Sequence, residues 1–295
     1  MEDAIIAGKN GDDLLVNEAL KHSHIPKNKQ TEKKGGAVAY GMANAVGEYS
    51  NPSLLHRIAY TDFDLSVDTG QLGSFLFAIQ RGSQAVAGSR RLPQSIYVTE
   101  YNDNDPLQAE TRNSRANLAR YLRLLILQGL LPIDTQCGIK AFTPEAIEAI
   151  IMQGEGLKLA NMSFDIEWLA RATSIFGIES VTADPVAWFD SVAFSSADDR
   201  VHLDMLRDQV QISSTETGKL DPEAYQLARD ITSEFEGEGG QELWNKLVIK
   251  FASLDSNDPM KKYFATDLKI LRVGQIPDPQ FLVEYRELID TLKNY

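Results

Sequence analysis

The strongest constraint on the fold is an alternation of short apolar runs and helical patterns through the middle of the chain. Residues 58–61 predict a buried strand and residues 84–88 a second strand. Residues 70–81, whose apolar positions recur at helical spacing, predict a helix between them. A predicted helix over residues 164–176 and a strand over residues 178–181 continue the pattern. Strand–helix–strand alternation predicts an α/β fold, with a mainly parallel sheet flanked by helices and ligands at the carboxyl ends of its strands.

The pattern changes where the polar run of residues 213–218 interrupts it. The remainder is mostly helical: Asp221 precedes a proline as a helix-capping residue does, and a last helix is predicted over residues 279–292. A length of 295 residues fits two domains, and it fits one large α/β domain with an appendage equally well. We therefore predict an α/β domain over residues 1–212 and a helical C-terminal region over residues 213–295.

The composition argues against several classes of protein. A formal net charge of −13 opposes a basic face for nucleic acid, so no nucleic-acid partner is expected. The longest apolar stretch, residues 122–133, is interrupted by Arg123 and Gln128 and is too short to span a bilayer. The first residues lack the basic start and apolar core of a signal peptide, and Cys137, the single cysteine, cannot form an intramolecular disulfide. We expect a cytoplasmic protein.

Two carboxylates mark the end of the first predicted strand. Asp62 and Asp64 flank one residue where the apolar run meets a loop, and alternate strand residues point the same way. They can therefore converge on one divalent cation, Mg²⁺ or Mn²⁺, that bridges a diphosphate and neutralises charge developing on a leaving group. An acidic turn at a strand end explains the same pattern without a metal.

Two further segments combine cations with glycines or a turn. Lys34, Gly35 and Gly36 open a helix of small residues, which suits the close approach of backbone amides to an anion. Ser89 and Arg90 end the second predicted strand at a flexible turn. Solvated lysines at a helix start and an ordinary surface turn are the respective alternatives.

A third group of polar residues follows the apolar segment that ends at residue 133. It brings together the carboxylate of Asp134, the amide of Gln136 and the cation of Lys140. Cys137 lies among them, but no histidine is near in the sequence to activate it, so we predict a buried structural thiol. Asp165 follows in the first turn of a predicted helix, where the helix dipole alone favours an acidic residue.

Taken in order, these motifs resemble those of family 2 glycosyltransferases, and within that family the dolichyl-phosphate glucose and mannose synthases. The similarity covers roughly residues 34–191, and residues 134–138 are its most specific part. It is carried by the runs Lys34-Gly35-Gly36-Ala37, Asp62-Phe63-Asp64-Leu65-Ser66, Gly88-Ser89-Arg90, Asp134-Thr135-Gln136-Cys137-Gly138-Ile139-Lys140, Phe164-Asp165-Ile166-Glu167 and Trp188. The resemblance implies a GT-A fold, which is Rossmann-like, and an inverting transfer of a hexose from a nucleotide-sugar of the UDP-glucose or GDP-mannose type.

By position, the resemblance also implies roles for individual residues. Asp62 and Asp64 would hold the divalent cation and the donor diphosphate. Asp134 and Gln136 would lie near the sugar and the acceptor. The nucleotide-sugar donor would be bound by Lys34, Gly35, Gly36, Asp62, Asp64, Ser89 and Arg90.

The beginning of the chain departs from the family pattern. Members open with an apolar strand ending in a Pro-x-Tyr-Asn-Glu type of motif and a second strand ending in Asp-Asp-Gly-Ser, whereas here only residues 7–13 approach the second motif. Either the chain is shortened, or other residues complete the nucleotide pocket, or donor binding is lost. The last alternative defines a second hypothesis, in which a degenerate GT-A domain binds a partner without turnover.

A predicted helix near residue 118 is relevant to which acceptor would receive the sugar. Because an α-helix turns by about 100° per residue, four arginines of this helix fall within an arc of about 140° on its surface. They are Arg112, Arg115, Arg120 and Arg123. This arrangement suits a helix that holds a polyprenyl or dolichyl phosphate beside a membrane, with Arg112 and Arg115 as the acceptor-binding candidates; a solvated basic face over an apolar core stripe explains it equally well. A soluble sugar acceptor would instead need a general base, for which Asp134 and Asp165 are the candidates. No pattern indicates an oligomeric state.

Overall fold

The structure of the protein is a computed structural model that describes ten stretches of the chain. These are residues 33–48, 56–62, 66–99, 106–128, 134–152, 163–190, 199–215, 220–266, 271 and 275–293. The chain divides into two compact units, of which the first comprises residues 1–97 and 134–189 and the second residues 98–133 and 190–295. No helix in the described part is both long enough and apolar enough to cross a membrane.

The first unit is of mixed α/β type. Its sheet contains strands β1 (Ile58–Thr61), β2 (Ala85–Ser89), β4 (Ile139–Phe142) and β5 (Val181–Pro185). Two more strands, β3 (Ile96–Thr99) and β6 (Ala187–Asp190), form a separate two-stranded sheet. The α-helices in the described part of this unit are α1 (Lys33–Glu48), α2 (Leu72–Gln80), α4 (Pro144–Ile147) and α5 (Phe164–Phe176).

The larger sheet is mixed, with the order β1-β4-β2-β5. Strand β4 pairs antiparallel with both β1 and β2, whereas β2 and β5 pair in parallel. Strands β1, β2 and β5 therefore share one direction, and β4 runs against them in the middle of the sheet. Two of the three pairs of neighbouring strands are antiparallel, so the prediction of a mainly parallel sheet is wrong for the pairing of its strands. The direction of β4 depends on its long-range pairing with β1 and β2, which local patterns in the sequence do not specify. The carboxyl ends of β1, β2 and β5 still meet at one edge, beside the amino end of β4.

Local signals placed several elements correctly. The predicted helix over residues 164–176 is confirmed as α5, which ends at Gly177 with a φ of 88° that favours glycine. Helix α4 begins as a capped helix, because the Thr143 hydroxyl accepts a hydrogen bond from the Ala146 amide at 3.0 Å. The strand expected at residue 178 begins only at Val181, since residues 178–180 first form a single tight turn.

One face of the sheet carries a compact apolar core. Gly88 lies within it, and a Cβ atom at this position would be 2.6 Å from the Ile139 Cγ2 atom and 3.1 Å from the Val186 Cγ1 atom. Strand β2 is buried along its whole length, so its neighbours cannot move aside into solvent. The core comprises Val67, Phe75, Ile79, Val86, Cys137, Ile139, Ala141, Val186 and Trp188.

We expect Gly88→Ala to lower the free energy of unfolding by about 1–3 kcal/mol, because the added methyl group overpacks this core. Urea titration followed by circular dichroism measures the change. Gly73→Ala is the matched control, since no atom lies within 4 Å of its Cβ position on helix α2. Equal stability of the two variants would contradict this account of the core.

The second unit is helical in its described part. Its long helix α3 (Pro106–Leu127) packs against the helices that follow residue 190, because its apolar side, including Leu118 and Leu122, is fully buried. The unit therefore includes residues 98–133, which the predicted boundary at residue 213 assigned to the α/β domain. The other helices are α6 (Asp199–Thr215), α7 (Pro222–Ser233), α8 (Gly240–Ala252), α9 (Pro259–Ala265) and α10 (Phe281–Lys293).

Candidate functional site

Most of the predicted site residues of the first unit lie at one edge of the larger sheet. Strand β1 ends there, β2 ends there, the loop before β4 passes through, and helix α5 begins beside it. The polar side chains in this region are joined by ion pairs and hydrogen bonds, except that of Tyr60, which lies beside them. We call them the edge cluster, which consists of Lys34, Tyr60, Asp62, Arg90, Asp134, Gln136, Lys140 and Asp165.

The first ion pair of the edge cluster joins helix α1 to the end of β1. The Lys34 Nζ atom is 2.8 Å from the Asp62 Oδ1 atom, and both side chains are partly exposed. The Asp62 amide donates to the Gly138 carbonyl at 2.7 Å, which continues the pairing of β1 with β4. A Cβ atom at position 138 would lie 2.2 Å from the Asp62 Oδ2 atom, so only glycine leaves room for this carboxylate. Both charges remain accessible to a ligand.

The second ion pair joins the end of β2 to the loop before β4. The Arg90 guanidinium donates to both oxygens of Asp134, each at 2.8 Å, and the Arg90 amide donates to the same carboxylate at 2.9 Å. The guanidinium also lies 5.1 Å from the ring centre of Trp188. Three hydrogen bonds thus hold one carboxylate in place.

This geometry sets the proton affinity of Asp134. Burial alone would raise the pKa of Asp134, but the Arg90 guanidinium and its hydrogen bonds outweigh it and hold that pKa well below its usual range. A carboxylate with so low a pKa is a weak proton acceptor near neutral pH. Asp134 therefore has the properties of a residue that positions the loop, rather than those of the general base for which it was a candidate.

The third ion pair is buried. Lys140 is completely inaccessible to solvent, and its ammonium group donates to the Asp165 Oδ2 atom at 3.0 Å and to the Cys137 carbonyl at 2.7 Å. The Gln136 amide donates to the other oxygen, Asp165 Oδ1, at 2.6 Å. Gln136 was predicted to bind an acceptor, and here its side-chain nitrogen is engaged by the candidate base Asp165.

Some of the predicted residues at this edge are buried or form hydrogen bonds with the backbone. The buried Ser89 accepts a hydrogen bond from the Arg91 amide at 3.2 Å, and Gly35 and Gly36 are buried in the first turn of α1. The prediction of a buried thiol is confirmed, since Cys137 is inaccessible and burial raises its pKa to about 12.

The expected divalent cation depends on a pair of carboxylates. Asp62 fits one ligand, because its carboxylate oxygens are hard donors and the side chain is partly exposed. Asp64 lies outside the described residues. Among the described residues there is no group of three or more histidine, cysteine, aspartate or glutamate side chains that fits a metal ion. The pair of Asp62 and Asp64 therefore stays a prediction.

The predicted acceptor-binding arginines belong to the second unit. Arg112 and Arg115 lie partly exposed on α3, whereas Arg120 and Arg123 on the same helix are only 7% and 8% exposed. Half of the predicted stripe is therefore buried, and the four arginines do not form a continuous exposed basic face.

Sequence reasoning missed the importance of Lys140 and Tyr60. Lys140 was recognised only as a cation within a motif, and Tyr60 only as part of a strand. A usable signal exists for Lys140, because it is the one charged residue of the otherwise apolar strand β4. Tyr60 lies directly opposite it on β1, where cross-strand neighbours share a face of the sheet.

No protein-family model, curated protein or solved structure matches this chain. The likeness to family 2 glycosyltransferases accordingly rests on the motifs, and the chemistry of the edge cluster rests on its own geometry.

Proposed function

We propose that this protein is an inverting glycosyltransferase of the GT-A type that transfers a hexose from a nucleotide-sugar to a polyprenyl phosphate or a related acceptor. One observation carries the proposal. Three pairs of opposite charges, from motifs spread between residues 34 and 165, lie at one edge of a sheet where three strands end. Ligands of α/β proteins bind at such an edge.

The exposed pair of the edge cluster is suited to the donor. Lys34 is a partly exposed cation in the first turn of α1, and backbone amides at a helix start favour an anion such as a diphosphate. Asp62, together with Asp64, would hold a divalent cation that neutralises the charge of the diphosphate. The acidic net charge of the chain makes such local compensation necessary.

The transfer would break the bond between the anomeric carbon and the diphosphate oxygen as an acceptor oxygen attacks from the opposite face. A phosphate acceptor is already anionic near neutral pH and needs cations rather than a base, which is the proposed role of Arg112 and Arg115. A hydroxyl acceptor would lose its proton to a carboxylate, and Asp165 is better suited than Asp134, whose pKa is held low by Arg90.

A second candidate function is ligand or partner binding without turnover. It is favoured by the fact that both buried carboxylates already accept hydrogen bonds from the protein itself. Asp134 accepts three from Arg90, and Asp165 accepts one each from Lys140 and Gln136. Such groups would stabilise the edge without taking part in chemistry. Transfer assays with a radiolabelled nucleotide-sugar and a short polyprenyl phosphate distinguish the two functions, because binding without product formation supports only the second.

Isothermal titration of UDP-glucose and GDP-mannose, with and without MnCl₂, tests the donor site. We expect binding by the wild type that depends on Mn²⁺, and a loss of at least about tenfold in affinity for Asp62→Asn, because one ligand charge is removed from the cation. Asp204→Asn is the matched control, since Asp204 forms an exposed ion pair with Arg207 on the helical unit. Wild-type protein that binds neither nucleotide-sugar would overturn the proposal.

A further inference from the structure

Tyr60 has the least satisfied side chain of the edge cluster. It lies on β1 opposite Lys140, and its ring packs against Phe164 at 5.8 Å and Trp168 at 6.2 Å between ring centres. The residue as a whole is partly exposed, but its phenol oxygen is buried. That oxygen has no hydrogen-bond partner within the described part of the chain.

An unpaired buried hydroxyl is unfavourable, and native proteins rarely keep one without a reason. Tyr121 shows the usual solution in this chain, since its phenol donates to the Asp278 carbonyl at 2.7 Å. Tyr60 lacks an equivalent although it lies among polar groups. A bound ligand is one means of completing its hydrogen bonding, and the candidate donor site is directly beside it.

The charges around Tyr60 limit what that ligand group can be. The carboxylates of Asp62 and Asp165 lie near enough to act on the phenol of Tyr60 electrostatically. A tyrosine phenol is protonated near neutral pH, so it can donate a hydrogen bond. The Lys140 ammonium, 5.5 Å from the ring centre, is already bound to Asp165. A phosphate oxygen would accept from the phenol but would be repelled by the two carboxylates. A hydroxyl group accepts from the phenol and can also donate to a carboxylate.

We propose that the phenol of Tyr60 donates a hydrogen bond to a hydroxyl group of the sugar, beside the carboxylates of Asp62 and Asp165. The inference rests on the proposed glycosyltransferase function and deepens it, because it separates a sugar-binding residue from those that bind the nucleotide. Tyr60 is thus a determinant of affinity for the hexose, while Lys34 serves the diphosphate.

The test compares Tyr60→Phe with the wild type in titrations of UDP-glucose, GDP-mannose, UDP and GDP in the presence of MnCl₂. We expect the variant to bind the cognate nucleotide-sugar about three- to tenfold more weakly, the effect of one neutral hydrogen bond. Its affinity for the corresponding free nucleotide should stay within about twofold. The melting temperature of the ligand-free variant should equal or exceed that of the wild type, because no hydrogen bond within the protein is removed.

Two other tyrosines provide matched controls. Tyr285 also has a buried phenol without a hydrogen-bond partner in the described residues, but it lies on helix α10 of the other unit, so Tyr285→Phe should leave binding unchanged. Tyr121→Phe removes a real hydrogen bond and should lower the melting temperature. Equal losses for nucleotide and nucleotide-sugar, or a Tyr60→Phe variant destabilised like Tyr121→Phe, would overturn the inference and leave the proposed function standing. Wild-type protein that binds no nucleotide would overturn both.

Discussion

Replacing Lys140 by methionine is expected to lower the free energy of unfolding by about 3–5 kcal/mol, the usual cost of removing one partner of a buried ion pair. Methionine fills a similar volume, so the loss reflects charge rather than a cavity. The Asp165 carboxylate, which is almost fully buried, would keep only the Gln136 amide as a charge-stabilising partner within the edge cluster. Urea titration followed by circular dichroism measures the change.

A control and a double variant separate charge from packing. Lys246→Met removes an exposed ion pair with Glu242 on helix α8 and should change stability by less than about 1 kcal/mol. Combining Lys140→Met with Asp165→Asn removes both buried charges and should restore at least about 1 kcal/mol. A double variant less stable than Lys140→Met alone would show that packing, and not the unpaired carboxylate, explains the loss.

Replacing Asp134 by asparagine is the second large change, with an expected loss of about 3 kcal/mol at neutral pH. The Arg90 guanidinium would lose its charged partner while remaining largely buried. Because Arg90 lowers the pKa of Asp134 in the folded chain, this ion pair stabilises the fold above the unfolded pKa near 4. The contribution is lost as the pH falls from there through the folded pKa.

The pH dependence of stability therefore provides an independent measurement. Below about pH 4 the wild type should lose stability with a slope that exceeds that of Asp134→Asn by up to about 1.4 kcal/mol per pH unit. Asp204→Asn, at an exposed ion pair, should follow the wild type. Parallel curves for wild type and Asp134→Asn would contradict the lowered pKa.

Much of the candidate site could be predicted from the sequence, because its residues are adjacent to signals that act locally. Asp62 and Arg90 each follow a strand, and Asp165 occupies the first turn of a helix, so their placement at one sheet edge follows from the elements themselves. Their partners could not be predicted. Arg90 binds Asp134 rather than a ligand because β2 and the loop before β4 approach each other closely, although the two residues are 44 positions apart in the sequence.

Local patterns in the sequence were sufficient to predict strands β1 and β2 and helices α2, α5 and α10, with ends within a few residues. Hydrophobic spacing, the cap at Asp221 and the glycine at position 177 act within a few residues, and the helices they delimit lie where they predict. Three features are set by long-range packing: β4 runs against its neighbours, α3 belongs with the C-terminal helices, and Lys140 is buried against Asp165. Each of these depends on which distant surfaces bury each other, and burial is a property of the assembled fold rather than of any local segment.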